Sequence, residues 1–251
     1  GIGTFTLAQA ACQAVGPSVG LFLAERVGYR AAFGAAAVCT VCAVAAAAMI
    51  KTPHTEHKKF RILPGNIIAK EAVIPAVLLF LLQLTFCNIN SFLVIYADHE
   101  NVANIGFFFT AYAVTMLFAP TTVGRLADRW GTTKALIPAM LFFSISFLLI
   151  SISSSLPMFL AAAVVSAFGY GAAQPAVQAV GMKCVPASRR GAASSTSYIG
   201  QDLGNLAGPI IAGSLVEKAG YVFMWRLMIL PVLAAIAITF LSRRRISGIE
   251  T

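Results

Sequence analysis

The strongest constraint on this chain is a set of long apolar runs that contain no charged side chain. Residues 31–50, 73–97 and 135–182 hold no Asp, Glu, Lys or Arg. About 20 apolar residues cross a bilayer as a helix, so the last run is long enough for two crossings. The whole chain is 59% hydrophobic and 11% charged, whereas soluble chains hold about 45–50% apolar and about 25% charged residues. The sequence therefore predicts an integral membrane protein built of α-helices.

Charged and Pro- or Gly-rich segments divide the chain into eight candidate transmembrane helices. They are expected at about 1–24, 31–50, 73–97, 103–123, 135–153, 158–180, 191–216 and 225–242. The most hydrophilic segment, 51–71, separates two helices in residues 1–50 from six helices in 72–242, and 243–251 form a tail. We predict an all-α membrane protein with an incomplete first bundle, a linker and a complete six-helix second bundle.

The basic residues indicate which side of the membrane each loop occupies. If the eight helices alternate in direction, most of the 18 Lys and Arg residues lie on one side, and the other side holds only Arg26, Arg30, Lys218 and Arg226. Cytoplasmic loops are enriched in Lys and Arg, so we expect the linker, the 124–134 loop and the C-terminus in the cytoplasm. The net charge of +9 does not indicate nucleic-acid binding, because the basic clusters contain no interleaved aromatic residues.

An internal repeat relates the first candidate helix to the seventh. The Gly-Pro pair at 16–17 aligns with that at 208–209, and the Gly-Tyr pair at 28–29 aligns with that at 220–221. A period of six helices in one membrane direction is typical of transporters built from two parallel halves. Since the chain also starts at Gly1 without an initiator methionine, we expect it to be part of a longer protein in which four more helices precede it.

Two motifs resemble those of the major facilitator superfamily of secondary transporters. Residues 124–134, GRLADRWGTTK, are similar to the family's cytoplasmic loop motif between helices eight and nine, and residues 16–20, GPSVG, are similar to a helix-five motif associated with export. The resemblance implies that the chain supplies helices five to twelve of a twelve-helix transporter in the cell membrane. It further implies an exporter of the drug:proton antiporter type that works by alternating access on a small organic solute. A proton-coupled importer of a metabolite is the alternative.

The residues of both motifs, and of the repeated Gly-Pro pair, are candidates for the conformational machinery. Glycines at the two ends of the loop motif permit a sharp reversal, and its aspartate can accept hydrogen bonds from a neighbouring helix N-terminus. Glycines in the Gly-Pro segments allow close helix packing, and the prolines bend the helices. This conformational set comprises Gly124, Asp128, Arg129, Gly131, Gly16, Pro17, Gly20, Gly208, Pro209 and Gly213. An ordinary acidic turn and lipid-facing packing of small residues are the alternatives.

Asp202 is the ionisable residue placed deepest in an apolar run. It lies about 18 Å along its helix from the basic pair at 189–190, near the middle of the membrane, where a charge facing lipid is costly. We therefore expect Asp202 to face a cavity or a helix partner and to take part in substrate binding or proton coupling. A hydrogen-bonded structural carboxyl beside Ser197 or Asn205 is the alternative.

Amide side chains are the remaining candidates for the substrate cavity. Gln83 and Asn90 lie two helical turns apart and share one face of their helix, and Gln174 and Gln178 share one face of theirs. In the family that the motifs resemble, the corresponding helices line the substrate cavity. Hydrogen bonding between helices is an equally good account of these four residues.

No pattern in the sequence indicates an enzyme. Zinc-ligand spacings and a P-loop are absent, so we predict no catalytic residues, no cofactor and no metal site. A membrane-embedded sensor or enzyme is the alternative class.

Overall fold

The computed structural model describes residues 12, 15–16, 19–24, 26–49 and 68–243, except for the side chains at 120–121, 123–124, 126–128 and 130. Every secondary-structure element in these residues is helical. The predicted helix at 1–24 lies mostly outside the described residues, as do the linker and the tail. The all-α part of the prediction is confirmed for the described residues.

The helices follow the apolar runs closely. In chain order they are α1 (Tyr29–Ala48), α2 (Val73–His99), α3 (Gly106–Trp130), α4 (Thr132–Ile152), α5 (Leu156–Lys183), α6 (Arg190–Leu227) and α7 (Ile229–Leu241), with short 3₁₀-helices at Lys70–Ala72 and Ala187–Arg189. A break at Gly220 divides α6, so the segment before it corresponds to the predicted helix at 191–216. The segment after it continues towards α7 and corresponds to the predicted helix at 225–242.

Within the described residues, five helical segments are long and apolar enough to cross a membrane. They are Tyr29–Ala48, Lys70–His99, Thr132–Ile152, Leu156–Lys183 and Ala187–Leu241, and Gly106–Ala119 is a shorter apolar segment. The last of the five is 55 residues long and includes the break at Gly220. The chain is thus a multi-pass membrane protein, and the count of eight helices stays a prediction.

The segment predicted as a loop at 124–134 is largely helical. α3 continues to Trp130, beyond the predicted end at residue 123, and Gly131 alone separates it from α4. The predicted end was wrong because this polar segment contains good helix formers such as Arg and Ala and no proline. The chain reverses at Gly131 alone, and the prediction that Gly124 also permits the reversal was wrong because Gly124 lies inside α3.

Glycines of one backbone conformation mark helix boundaries in both copies of the internal repeat. Gly28 has φ 98° and ψ 162°, and Gly220 has φ 81° and ψ 172°. This region is open only to glycine at low energy. Because the repeat aligns these two positions, its two copies are similar in backbone conformation as well as in sequence. Gly131, with φ 89° and ψ 150°, reverses the chain in the same way.

α2 occupies the centre of the described bundle. It packs most extensively against α6 and also contacts α5 and α7, while α4 packs on α5 and α7. The core between these helices is apolar and aromatic, and Leu82, Phe143, Phe147 and Trp225 are fully buried in it. α1 buries none of its residues against the described part of the chain. The described helices α2 to α7 therefore share a core to which α1 contributes no buried residue.

Three glycines at four-residue intervals press α6 against the backbone of α2. A Cβ added at Gly200 would lie 2.3 Å from the carbonyl oxygen of Ala76, and one at Gly208 would lie 2.4 Å from that of Leu84. A Cβ at Gly204 would also lie within 3.0 Å of α2 backbone atoms. Small residues at such spacing let membrane helices approach closely. We call Gly200, Gly204 and Gly208 the glycine seam.

The predicted close approach at the motif glycines holds at some positions and not at others. Gly208 belongs to the glycine seam, whereas an added Cβ at Gly213 would meet only Phe92 at an ordinary 3.8 Å. At Gly16 and Gly20 no atom of the described residues lies within 4 Å of an added Cβ. Pro17 lies outside the described residues, and Pro209 lies inside α6.

Candidate functional site

A cavity of about 550 Å³ lies between α2, α3, α5 and α6. Its apolar and aromatic wall consists of Leu21, Phe86, Ile89, Val94, Phe108, Phe109, Tyr112, Tyr170 and Tyr198. Its polar wall consists of Gln83, Asn90, Gln174, Gln201, Asp202 and Asn205. A volume of this size suits a small organic molecule.

The structure brings four of the five predicted binding or coupling residues to this cavity. Gln83 and Asn90 line it from α2, Gln174 lines it from α5, and Asp202 lines it from α6. Gln178 is half-buried one turn beyond Gln174 and is not among the lining residues. The structure does not test whether any of these residues binds a substrate, so their roles stay predictions.

Asp202 is exposed and is the only charged residue among those that line the cavity. Ser197, which the sequence suggested as a structural partner, is buried at 1% exposure. Asn205 lies one helical turn after Asp202 and lines the same wall. The carboxylate is therefore accessible from the cavity, where it can interact with a cation.

A chain of hydrogen bonds joins three helices at the polar wall. The Tyr170 hydroxyl on α5 donates to Oε1 of Gln83 on α2. Nε2 of the same Gln83 donates to Oδ1 of Asn205 on α6, at 2.7 Å. Gln83 therefore serves both as a contact between helices and as a lining residue, and its two proposed roles are compatible.

The aromatic wall is built around Phe86. Its ring stacks on Tyr170 with centroids 3.8 Å apart and planes 3° apart, and it lies 5.8 Å from the ring of Tyr112. The ring of Tyr170 also packs against that of Phe143, with the two centroids 5.5 Å apart. These rings and the Asp202 carboxylate line the same cavity, and such a combination suits an organic cation with an aromatic part.

A second amide pair crosses from α5 to α6. Nε2 of Gln174 donates to Oε1 of Gln201 at 3.4 Å. Nε2 of Gln201 is buried and has no hydrogen-bond partner among the described residues. Gln174 thus contacts a neighbouring helix and lines the cavity, as Gln83 does.

The loop motif can be placed only in part. Gly131 forms the reversal between α3 and α4, and Arg129 lies in the last turn of α3. The side chain of Asp128 lies outside the described residues. The proposed contact of Asp128 therefore stays a prediction.

The sequence reasoning missed several residues of the site. Asn205 was treated only as a possible partner of Asp202, and Tyr170 and Gln201 were not singled out. A signal was available for α6, because Tyr198, Gln201, Asp202 and Asn205 recur at helical spacing on one face. No sequence signal distinguished Tyr170 from the many other aromatic residues.

Comparisons with known proteins agree with this architecture. A family model described as the Major Facilitator Superfamily matches residues 75–248. The chain is 24% identical over 239 residues to the multi-drug resistance efflux pump PmrA homolog of Lactococcus lactis, and 27% identical over 238 residues to the multidrug resistance protein MdtG of Klebsiella pneumoniae. Each match covers 88% of this chain and 57% of the relative.

A solved structure shares the fold. The peptide transporter POT in complex with alafosfalin is similar with a TM-score of 0.59 and 18% sequence identity. The match covers 70% of this chain and 38% of that chain. At this identity the similarity concerns the fold alone.

The family match covers more than half of the chain, which therefore belongs to the major facilitator superfamily. Proteins of this superfamily are membrane-embedded transporters of small molecules and not enzymes. The resemblance carried by the two sequence motifs is thus confirmed at the level of the family. The chain spans 57% of the length of the two bacterial relatives.

Proposed function

We propose that this chain forms the second half, and part of the first half, of a secondary transporter that exports a small organic solute in exchange for protons. The observation that carries the proposal is the cavity between four helices, which is lined by aromatic rings and, among the described residues, by one carboxylate, that of Asp202. Rocking of two helical bundles around such a site is the general basis of alternating access. The positive-inside distribution supports a cytoplasmic C-terminus.

The chemistry of the cavity favours a cationic substrate with an aromatic or apolar body. One negative charge and no positive charge lie among the lining residues, so an ammonium group would be attracted to Asp202. The ring of Phe86, which is half-buried and lines the cavity, would contact the apolar body. Two relatives, an efflux pump and a multidrug resistance protein, support export of such compounds.

Proton coupling follows from competition at a single carboxylate. The ionised form of Asp202 attracts a cation, and the protonated form does not. A proton entering from the extracellular side would therefore release the substrate there, and loss of the proton to the cytoplasm would restore binding. This gives an exchange of one solute for one proton at Asp202.

The motif residues are proposed to control the change of state. Gly131 supplies the reversal between α3 and α4, and Asp128 is proposed to contact a helix N-terminus of the first half in one state only. The Gly-Pro pairs at 16–17 and 208–209 are proposed to permit bending of matched helices in the two halves.

The test is the Asp202→Asn variant of the protein expressed from its complete reading frame. Ethidium would be added to the medium of inverted membrane vesicles. Its accumulation inside the vesicles would be followed with and without an imposed pH gradient. We expect the gradient-dependent accumulation to fall at least about tenfold in Asp202→Asn, as it would if the substrate affinity fell by that factor. Asp98→Asn, an exposed change at the end of α2 outside the cavity lining, is the matched control.

The outcomes separate the functional alternatives. Retention of the wild-type gradient dependence by a well-inserted Asp202→Asn protein would refute the role of Asp202. Gradient-driven uptake by intact cells, with none into inverted vesicles, would establish an importer instead.

A further inference from the structure

The hydrogen-bond chain at the polar wall has a defined direction. Tyr170 is 3% exposed, and a buried hydroxyl proton requires an acceptor. In the described part of the chain, that acceptor is Oε1 of Gln83. With its oxygen occupied by this contact, Gln83 turns its NH₂ group towards Asn205 and donates to Oδ1.

The direction of the hydrogen-bond chain determines which group of the Asn205 side chain is exposed to the cavity. Its oxygen accepts from Gln83, and its NH₂ group lies on the opposite side of the amide carbon. Asn205 is exposed and lines the cavity. The NH₂ group of Asn205 is therefore the part that remains available to a ligand as a hydrogen-bond donor.

Asp202 and Asn205 then form a pair of unlike groups. They lie three residues apart on one helix, where side chains are about 5–6 Å from one another. Asp202 attracts a positive charge, whereas Asn205 donates to an acceptor. A ligand that satisfies both groups carries an ammonium and, a few bonds away, a carbonyl or ether oxygen.

We propose that Tyr170 is a specificity-determining residue, which holds Asn205 as a donor and so selects organic cations that carry a hydrogen-bond acceptor. The proposal rests on the proposed function for its view of the cavity as the substrate site. Tyr170 acts through Gln83 and Asn205, so its hydroxyl need not touch the ligand. The hydroxyl of a tyrosine on another helix thereby sets the polarity of the α6 wall.

Two substitutions abolish the fixed donor-to-acceptor direction of these hydrogen bonds in different ways. Tyr170→Phe deletes the hydroxyl, so the Gln83 amide can rotate and offer its oxygen to Asn205, which then turns its own oxygen to the cavity. Gln83→Glu retains the acceptor for Tyr170 but supplies no donor to Asn205, with the same result. Tyr96→Phe is the matched control, because it removes another buried tyrosine hydroxyl, which donates to the Ser151 carbonyl oxygen at 3.3 Å and lies outside the cavity lining.

The probes are two amines that differ in one oxygen. β-Dimethylaminopropiophenone carries a ketone two methylenes from its ammonium group, and γ-phenylpropyldimethylamine has a methylene in place of the carbonyl. Equilibrium binding of each amine to purified protein in detergent would be measured by calorimetry. The readout is the ratio of the two dissociation constants, which cancels the added charge of Gln83→Glu and any general loss of affinity.

We expect the wild-type protein to prefer the ketone by about twofold to tenfold, the range of one net hydrogen bond. The preference should fall to about one in Tyr170→Phe and in Gln83→Glu, and it should persist in Tyr96→Phe. An unchanged preference for the ketone in folded Tyr170→Phe or in folded Gln83→Glu would overturn the inference. Failure of the wild-type protein to bind both amines would overturn it as well. Binding with the expected ratios but without vesicle transport would contradict only the proposed function.

Discussion

Replacing Gly200 by alanine should destabilise the protein, because α2 backbone atoms occupy the space that a methyl group needs. The added Cβ would lie 2.3 Å from the Ala76 carbonyl oxygen, 3.0 Å from its carbon and 3.3 Å from its Cα. Carbon and carbonyl oxygen normally stay about 3.3 Å or more apart, so α6 must move away from α2 by about 1 Å. No rotamer can avoid this clash, since every contacting atom is backbone.

The magnitude follows from two opposing effects. Overpacking costs about 1–3 kcal/mol, and the upper end applies here because the obstructing atoms cannot rotate away. Alanine in a helix interior regains about 1 kcal/mol over glycine. The net loss is about 2 kcal/mol, which lowers the melting temperature by about 4–8 °C for a chain of this size.

The assay is thermal unfolding of the detergent-purified protein, followed by the fraction that remains monodisperse after heating. Gly213→Ala is the matched control on the same helix, because its added Cβ would meet only Phe92 at 3.8 Å. We expect the control to be as stable as the wild-type protein or slightly more stable. If Gly200→Ala were as stable as Gly213→Ala, close backbone packing between α6 and α2 would be refuted.

Two further predictions concern the backbone and the thiols. Gly220→Ala should lower the stability of the folded protein by about 1–3 kcal/mol, because the φ of 81° at this position disfavours any side chain. Gly34→Ala, with open space around the added methyl group, should not destabilise the protein. Equal thermal stability of the two variants would contradict this prediction. Burial raises the pKa of the Cys184 thiol above its ordinary value, and the negative charge of Glu71 raises it further. Glu71→Gln should therefore lower the pKa of Cys184 and speed its labelling by maleimide at neutral pH, since the thiolate is the reactive form. The other cysteines would be replaced by serine for this measurement. An unchanged labelling rate would show that Glu71 does not raise the pKa of Cys184.

The helical architecture could be predicted from sequence because the bilayer restricts the choices. Apolar runs free of charge must form helices that satisfy their own backbone groups, and α2, α4 and α5 follow those runs within a few residues. The end of α3 was missed because polar composition was taken as a loop signal. At a membrane surface a helix can continue into water, and only Gly131 ends it.

The candidate site was predictable to the extent that it depends on helical spacing. Gln83 and Asn90 were placed on one face of α2 by their separation alone, and both line the cavity. Gln178 was grouped with Gln174 by the same reasoning but is not a lining residue, because a shared face does not show how far along the helix the cavity extends. The contribution of Tyr170 depends on packing between α2 and α5, which no single helix reveals.

The glycine seam and the hydrogen-bond chain together constrain how the second half can move. Gly200, Gly204 and Gly208 hold α6 at one position along α2, since backbone contacts at three successive turns oppose sliding. The bond between Gln83 and Asn205 crosses the same helix pair, and the bond from Tyr170 adds α5. A state change that separated these helices would have to break both kinds of contact inside a low-dielectric interior. Movement between states is therefore expected to carry α2, α5 and the part of α6 up to Gly208 as one body, with bending of α6 confined to the part from Pro209 onward. The cavity wall would stay unchanged, and its access would be altered at the contact with the other half.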